Sequence, residues 1–140
     1  MNDNLILVVD DDPFGGYPLE AVLRPLGFTV VSASNGAEAV DLAFLHQPKL
    51  IFMDLVMPDM DGYSATVAIH AGRATATIPI VALSANCDLQ HRVRAFEAGM
   101  VGFVTKPWDI ADIQRILAKH CAVTRLANDN APSRSSVIDE

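Results

Sequence analysis

The sequence has few cysteines, no excess of positive charge and no long apolar run, and each of these absences argues against a class of protein. Its two cysteines, Cys87 and Cys121, do not have the spacing of a metal or redox motif. The formal net charge of −7 argues against a nucleic-acid-binding surface spread over the whole domain. No apolar run reaches the ~18 residues of a membrane span, and Met1–Asn4 lacks the basic start of a secretory signal. We therefore expect a cytoplasmic protein without membrane insertion or direct nucleic-acid binding.

The residues that are present suffice for one packed domain. The chain has 140 residues, of which 51% are hydrophobic and 19% are charged, a balance typical of soluble globular proteins. From Ala122 onward the hydrophobic periodicity is lost, and the sequence includes Asn-Asp-Asn-Ala-Pro-Ser-Arg-Ser-Ser. We predict a domain over residues 1–121 and a disordered tail or linker stub over residues 122–140.

Short apolar runs alternate with segments of helical length. The runs are nearly continuous in hydrophobicity, as is typical of strands that are buried on both faces. The predicted strands are Leu5–Val9, Phe28–Ala33, Leu50–Met53, Ile80–Leu83 and Gly102–Thr105. Alternation of strands with helices predicts an α/β fold in which helices cover both faces of a parallel sheet.

The segments between and after the runs predict five helices, of which the first is irregular. Gly15, Gly16 and Pro18 stand where the first helix should begin, so we expect it to start late. Asn35 can cap the second helix, with Glu38 at the capping-box position. The other four predicted helices span Gly36–His46, Tyr63–His70, Asp88–Ala98 (stopped by Gly99) and Asp109–Cys121.

Polar residues follow four of the five predicted strands. Asp10-Asp11-Asp12 follows the first strand, Asp54 the third, Ser84 the fourth and Thr105-Lys106-Pro107 the fifth, whereas the second ends without a charged group. Ligands of parallel α/β sheets bind beyond the carboxyl ends of the strands. The pattern fits a flavodoxin-like, doubly wound, five-stranded sheet of order 2-1-3-4-5, because the four polar ends are then contiguous.

Such a cluster has the chemistry of a phosphoryl-transfer site. Two carboxylates ~4 Å apart repel each other by ~4 kcal/mol at an effective dielectric of ~20, and Mg²⁺ relieves this repulsion with carboxylate and water ligands. Lys106 and Ser84 add an ammonium and a hydroxyl that can neutralise an oxyanion, as phosphoryl transfer requires. Asp54 is the candidate nucleophile, because it emerges alone from the central strand and a carboxylate can form an acyl phosphate.

Four motifs carry a resemblance to a known family. They are Val8-Val9-Asp10-Asp11, the segment Met53–Gly62, Ala82-Leu83-Ser84-Ala85 and Lys106-Pro107. With these motifs in this order, the chain from about Leu5 to Cys121 resembles the receiver domain of response regulators and hybrid histidine kinases. The resemblance implies a phosphoacceptor of a two-component system or phosphorelay, not an enzyme beyond self-catalysed phosphotransfer and autodephosphorylation. Its partners would be a sensor histidine kinase or histidine phosphotransfer protein and an unknown downstream protein.

The resemblance also implies a metal site and a phosphorylation site. Asp54 would be phosphorylated with Mg²⁺ or Mn²⁺ as the cofactor. Asp11 would bind the metal directly and Asp10 would help through water. Asp54 and the backbone carbonyl of Val56 would complete the ligand set.

A switch is implied as well. Ser84 and Lys106 would contact the phosphoryl oxygens, and Phe103 matches the aromatic switch position three residues before the lysine. Ser84 would move toward the phosphoryl group, Phe103 would fill the space it leaves, and a partner would read the changed face formed by helix 4, strand 5 and helix 5. The peptide bond between Lys106 and Pro107 would be cis.

Several readings stay open. Asp10-x-Asp12 also fits an aspartyl phosphohydrolase, and a receiver can serve for docking alone. The family often has a polar or basic residue where Gly16 stands, and the first helix is part of the surface on which phosphotransfer partners dock, so the identity of the partner stays open. A flexible start to the first helix beside the acidic pair could also weaken metal affinity. Asn86, two residues past Ser84, bears on phosphoryl lifetime in a direction that the sequence leaves open. The sequence also leaves open whether the chain is a whole regulator or a fragment of a hybrid kinase.

Overall fold

Five parallel strands form the sheet of this computed structural model, which describes residues 2–10, 18–57 and 59–121. They are β1 (Asn2–Val9), β2 (Thr29–Ala33), β3 (Pro48–Asp54), β4 (Ile80–Ser84) and β5 (Gly102–Thr105). The order β2-β1-β3-β4-β5 confirms the predicted topology, with every neighbouring pair parallel. The predictions about Asp11, Asp12, Gly15, Gly16 and the segment after Cys121 lie outside the described residues.

Two strands begin earlier than predicted, at Asn2 and Pro48. The pairing of β1 with β3 shifts register between Asn2 and Ile6, so the extension is an irregular one. At the carboxyl ends, β3 and β4 each run one residue further than predicted. Asp54 and Ser84 therefore still pair with neighbouring strands, at Leu83 and Thr105, and the sheet itself fixes the backbone of both residues.

The five helices are α1 (Glu20–Leu23), α2 (Gly36–His46), α3 (Gly62–His70), α4 (Leu89–Ala98) and α5 (Ile110–His120). The late and irregular first helix is confirmed. Pro18 precedes it, and after one turn it continues as a 3₁₀ turn over Arg24–Leu26, which ends at left-handed Gly27. Pro25 lies inside that turn, where the missing donor of a proline shortens an α-helix.

The helix caps follow the sequence closely, with one difference. Asn35 accepts a hydrogen bond from the Glu38 backbone N–H at 2.8 Å, as predicted. The Glu38 carboxylate does not return to Asn35; it accepts the N–H of Ser34 at 2.8 Å, one residue earlier. Gly99 stops α4 in the left-handed conformation, at a φ of 111°, which confirms the predicted stop.

One large cluster fills the face of the sheet that α2, α3 and α4 cover. Small residues of the helices, Ala39, Ala43, Ala65 and Ala95, are buried against strand residues of β1, β3 and β4. Because alanine is short, the helices lie close to the sheet and the large strand side chains fill the space. The large, fully buried strand side chains of this cluster are Leu7, Val9, Ile51, Met53 and Ile80, each worth roughly 1.5–3 kcal/mol of burial.

The chain divides into two units, Met1–Trp108 and Asp109–Glu140, and α5 belongs to the second. Asp109 and Asp112 form a reciprocal capping box at its start. Ile113 and Leu117 of α5 are buried, whereas Ile110 is half exposed. Among the described residues, no helix has the length and hydropathy to cross a membrane.

Candidate functional site

Three strand ends bring Asp10, Asp54 and Lys106 together. The Lys106 ammonium Nζ lies 3.1 Å from Asp54 Oδ2 and 3.5 Å from Asp10 Oδ2. The backbone fixes these positions, because the Asp10 N–H donates to the Ala33 carbonyl and the Lys106 N–H to the Ser84 carbonyl. The predicted convergence of β1, β3 and β5 at one rim is therefore found for all of these residues.

The Asp54 carboxylate is held in one orientation and largely removed from solvent. Only 6% of the residue is exposed. Its Oδ1 accepts the Val56 N–H at 3.1 Å, while Oδ2 faces Lys106. Burial raises the pKa of Asp54 to about 6; the Val56 N–H and Lys106 oppose this rise, and the charge of Asp10 adds to it. A carboxylate with this pKa is ionised at neutral pH, but keeping its negative charge in this buried position costs free energy.

Lys106 stays charged at this rim. Burial lowers the pKa of its ammonium, but the hydrogen bond and charge of Asp54, with those of Asp10, outweigh the burial, and the pKa is raised overall. A lysine that is more than half buried and faces two carboxylates is thus a permanent cation. It is the group that can neutralise an added anion.

Ser84 lies at the end of β4 with its hydroxyl turned into the following loop. The residue is 3% exposed. Its Oγ donates to the Asn86 carbonyl and accepts the Asn86 N–H, both at 3.0 Å. The predicted contact with a phosphoryl group therefore requires the Ser84 hydroxyl to give up the hydrogen bond that it donates to the Asn86 carbonyl. Asn86 itself, through its side-chain carbonyl, accepts the N–H of Asp88 at 3.1 Å.

Val56 lies beside the rim, and Phe103 lies on β5 near Arg92. The Val56 side chain is 72% exposed beside the rim, and its N–H holds Asp54. Phe103 is half buried and packs against the cluster under α2, α3 and α4. The guanidinium carbon of Arg92 lies 5.0 Å from the centroid of its ring. The cis peptide bond between Lys106 and Pro107 is confirmed.

The loop after Asp54 depends on a close approach that sequence reasoning did not assign. A Cβ at Gly62 would overlap the Asp54 carbonyl oxygen and lie 3.0 Å from the Leu55 Cα. The Gly62 N–H donates to the Leu55 carbonyl at 3.2 Å, so the start of α3 sits directly on the end of β3. Asp61 caps α3 through the Ser64 N–H. Asp59 has a φ of 69° and forms the turn.

The donor set fits a hard divalent cation. Asp10 and Asp54 direct carboxylate oxygens at the same ammonium, so they point into a common space, and two carboxylates with one lysine leave negative charge uncompensated. Oxygen donors with net negative charge are what Mg²⁺ prefers. Within residues 2–10, 18–57 and 59–121 no group of three or more acidic, histidine or cysteine side chains could hold a metal, and Asp11, the predicted direct ligand, lies outside those ranges.

Known proteins share this sequence pattern. The family of the response regulator receiver domain matches residues 6–118. The DNA-binding dual master transcriptional regulator RpaA of a Synechocystis strain is 32% identical over 96% of this chain and 56% of its own length. Protein PilH of Pseudomonas aeruginosa is 35% identical over 74% of this chain and 86% of its own length. The chain spans about half the length of RpaA and of similar transcriptional regulators that it matches.

Solved structures agree with the sequence comparison. The receiver domain of the sensor histidine kinase PA1611 of Pseudomonas aeruginosa, with a magnesium ion in its active-site cleft, is 38% identical with a TM-score of 0.79, over 86% of this chain and 98% of that one. A response regulator of Chloroflexus aurantiacus is 30% identical with a TM-score of 0.80, over the same shares. This chain belongs to the family of response regulator receiver domains of two-component signalling.

Proposed function

We propose that this chain is a phosphoacceptor that takes a phosphoryl group from a phosphohistidine onto Asp54. The observation that carries the proposal is the buried Asp54 carboxylate, which faces the Lys106 ammonium at 3.1 Å with Asp10 beside it. Phosphoryl transfer depends mainly on positioning and on neutralising charge, and these residues provide a positioned nucleophile and a fixed cation. The donor would be a sensor histidine kinase or a histidine phosphotransfer protein in the cytoplasm.

In the chemical step, the bond between phosphorus and the imidazole nitrogen of the donor breaks, and a P–O bond forms to Asp54. The Val56 N–H on Oδ1 and Lys106 on Oδ2 fix the carboxylate before the donor arrives. Lys106 remains charged throughout and would contact the phosphoryl oxygens. Because Asp54 is ionised at neutral pH, no base is needed to activate it.

The metal site would be formed by Asp10, Asp11, Asp54 and the Val56 carbonyl. When bound there, Mg²⁺ supplies the positive charge that lowers repulsion between these carboxylates and the incoming phosphoryl group. Asp10 and Asp54 both direct a carboxylate oxygen at the Lys106 ammonium. Mn²⁺ has similar preferences for oxygen ligands and would serve in the same place.

The output of the reaction is a change in surface. The phosphoryl group carries roughly −1.5 to −2 charges in place of the single charge of the Asp54 carboxylate, and its oxygens attract the Ser84 hydroxyl away from Asn86. Phe103 then turns into the vacated space. A downstream protein would read the altered surface around α4 and β5.

The direct test is intact-mass spectrometry after incubation with acetyl phosphate and Mg²⁺. The wild-type chain should gain the mass of one phosphoryl group, and Asp54→Asn should gain none. Asp59→Asn is the matched control, because Asp59 lies in the same loop, and its left-handed φ of 69° suits asparagine. It should be phosphorylated like the wild type. If the wild type gained no mass, the chain would instead be a receiver that serves for docking alone.

An aspartyl phosphohydrolase that uses Asp10 and Asp12 predicts a different result. It would turn over a generic phosphomonoester, and Asp10→Asn would abolish the turnover while Asp54→Asn would not. We expect no such turnover. Phosphotransfer profiling with purified sensor kinases would then identify the donor.

A further inference from the structure

Helix α4 is weakly anchored to the rest of its unit. Of its ten residues only Ala95 is buried. Its larger apolar side chains face solvent, among them Phe96 with 77% exposure. Burial of apolar surface is the main source of packing energy, so α4 depends more than α2 or α3 on polar contacts at its margins.

Arg92 makes two of these contacts at once. Its Nε donates to the Cys87 carbonyl at 2.9 Å, and its guanidinium carbon lies 5.0 Å from the centroid of the Phe103 ring. The first contact holds the loop between β4 and α4, and the second holds the aromatic side chain of β5. One side chain therefore joins the two parts that a switch at this site has to move.

The loop between β4 and α4 is closed by its own hydrogen bonds. The Ser84 hydroxyl has both roles occupied by the backbone of Asn86. Asn86 in turn accepts the Asp88 N–H, and Asp88 caps α4 through the His91 N–H. A hydroxyl has one proton to donate, so Ser84 cannot bond to Asn86 and to a phosphoryl oxygen with the same proton.

The sheet register links this loop to Phe103. Ala82 pairs with Phe103, and Ser84 pairs with Thr105. Paired residues of parallel strands point to the same face, and so do residues two apart. Ser84 and Phe103 thus share the face under α4, which lets the ring enter the space that Ser84 leaves, but only when the ring is free to turn.

We propose that Arg92 is a positioning residue that opposes the switch, because it holds Phe103 and the Cys87 carbonyl in the arrangement where Ser84 bonds to Asn86. Engagement of Ser84 with a phosphoryl group pulls the loop away from Arg92, and inward rotation of Phe103 removes its ring from the guanidinium. Arg92 lowers the population of the engaged state and thereby weakens phosphoryl-group binding. The inference rests on the proposed function of Asp54 and Ser84.

Arg94 provides a matched control on the same helix. Its guanidinium carbon lies 4.0 Å from the centroid of the Tyr63 ring, and its Nη2 lies 3.7 Å from Asp61. It is also exposed and also covers an aromatic ring, but its ion pair and its ring contact are with residues at the start of α3. Removal of Arg94 tests for a general loosening of α4.

The experiment is a titration with beryllofluoride, a phosphoryl mimic, in the presence of Mg²⁺. Trp108, the single tryptophan, lies two residues past Lys106 and reports binding by fluorescence. Arg92→Gln should bind about fivefold more tightly than the wild type, the size expected for loss of one arginine–aromatic contact. Arg92→Lys, which keeps a cation, should fall between them, and Arg94→Gln should bind like the wild type.

A double-mutant cycle with Phe103→Leu tests the route. The leucine keeps an apolar side chain but removes the ring, so Arg92→Gln should improve binding less in that background. Equal affinity of wild type and Arg92→Gln, weaker binding by Arg92→Gln, or the same gain from Arg94→Gln would overturn the proposal. Absence of beryllofluoride binding by the wild type would instead contradict the proposed function.

Discussion

Replacement of Asp54 by asparagine should stabilise the metal-free protein at neutral pH. Asn keeps the shape of the side chain and can still accept the Val56 N–H, but it removes a buried negative charge. A pKa raised from 3.8 to about 6 means that the folded protein binds the proton more tightly than the unfolded chain does. The contribution of Asp54 to stability is therefore full below pH 3.8 and is lost as the pH rises through 6.

The size of the effect follows from that shift. The rise from 3.8 to about 6 corresponds to about 3 kcal/mol. The asparagine variant loses the ion pair with Lys106, although Lys106 keeps Asp10 at 3.5 Å, and this reduces the net gain. We expect about 1–2 kcal/mol at pH 7, or an increase of about 4–8 °C in Tm for a domain of this size.

The measurement is urea unfolding of wild type and Asp54→Asn at pH 7 and pH 4, with a chelator present. The variant should be more stable at pH 7, and the difference should shrink toward pH 4, where the wild-type carboxyl is mostly protonated. Added Mg²⁺ should stabilise the wild type at pH 7 more than the variant. A variant that is no more stable than wild type at pH 7, or a difference that is independent of pH, would refute the reasoning.

Three further predictions concern Lys106, Gly62 and Gly27. Lys106→Met removes a group that lowers the pKa of Asp54, so NMR titration of the metal-free variant should place that pKa above 6; an unchanged value would contradict the assigned cause. Gly62→Ala forces a methyl group against the backbone of β3 and should cost about 2–3 kcal/mol in denaturant unfolding. Gly27→Ala meets open space but has a φ of 96°, so the same assay should show a smaller loss of about 1 kcal/mol; a loss at Gly62 no larger than at Gly27 would contradict the steric overlap assigned to Gly62.

The sequence was sufficient for the architecture because the strands are buried on both faces and the caps are local. Continuous apolar runs and the polar residues at their ends predicted the sheet order, which the observed pairing confirms. Asn35 and Gly99 act as predicted because capping needs only neighbouring residues. The Glu38 carboxylate does not act as predicted, because it accepts the N–H of Ser34 and not the N–H of Asn35.

The contacts of the site could be predicted only in part. Motif order indicated that Asp10, Asp54 and Lys106 would meet, and their ion pairs are present. The hydroxyl orientation of Ser84 and the contacts of Arg92 depend on how α4 sits over β5, which no spacing in the sequence encodes. Gly62 belongs to one of the sequence motifs, but its close approach to β3 depends on how the start of α3 packs on the end of that strand.

The rim holds one unfavourable arrangement, the buried charge of Asp54, and the proposed reaction would relieve it. Ser84 donates its only hydroxyl proton to a loop carbonyl, and Lys106 faces two carboxylates. A phosphoryl group on Asp54 moves the negative charge outward onto oxygens that Lys106 and Ser84 can both reach. The free energy released at Asp54 is then available to break the hydrogen bond from Ser84 to the Asn86 carbonyl and the contact between Arg92 and the Phe103 ring. The free-energy difference between the two states of the switch therefore depends on how deeply Asp54 is buried and on how strongly Arg92 of α4 binds Phe103 and the Cys87 carbonyl.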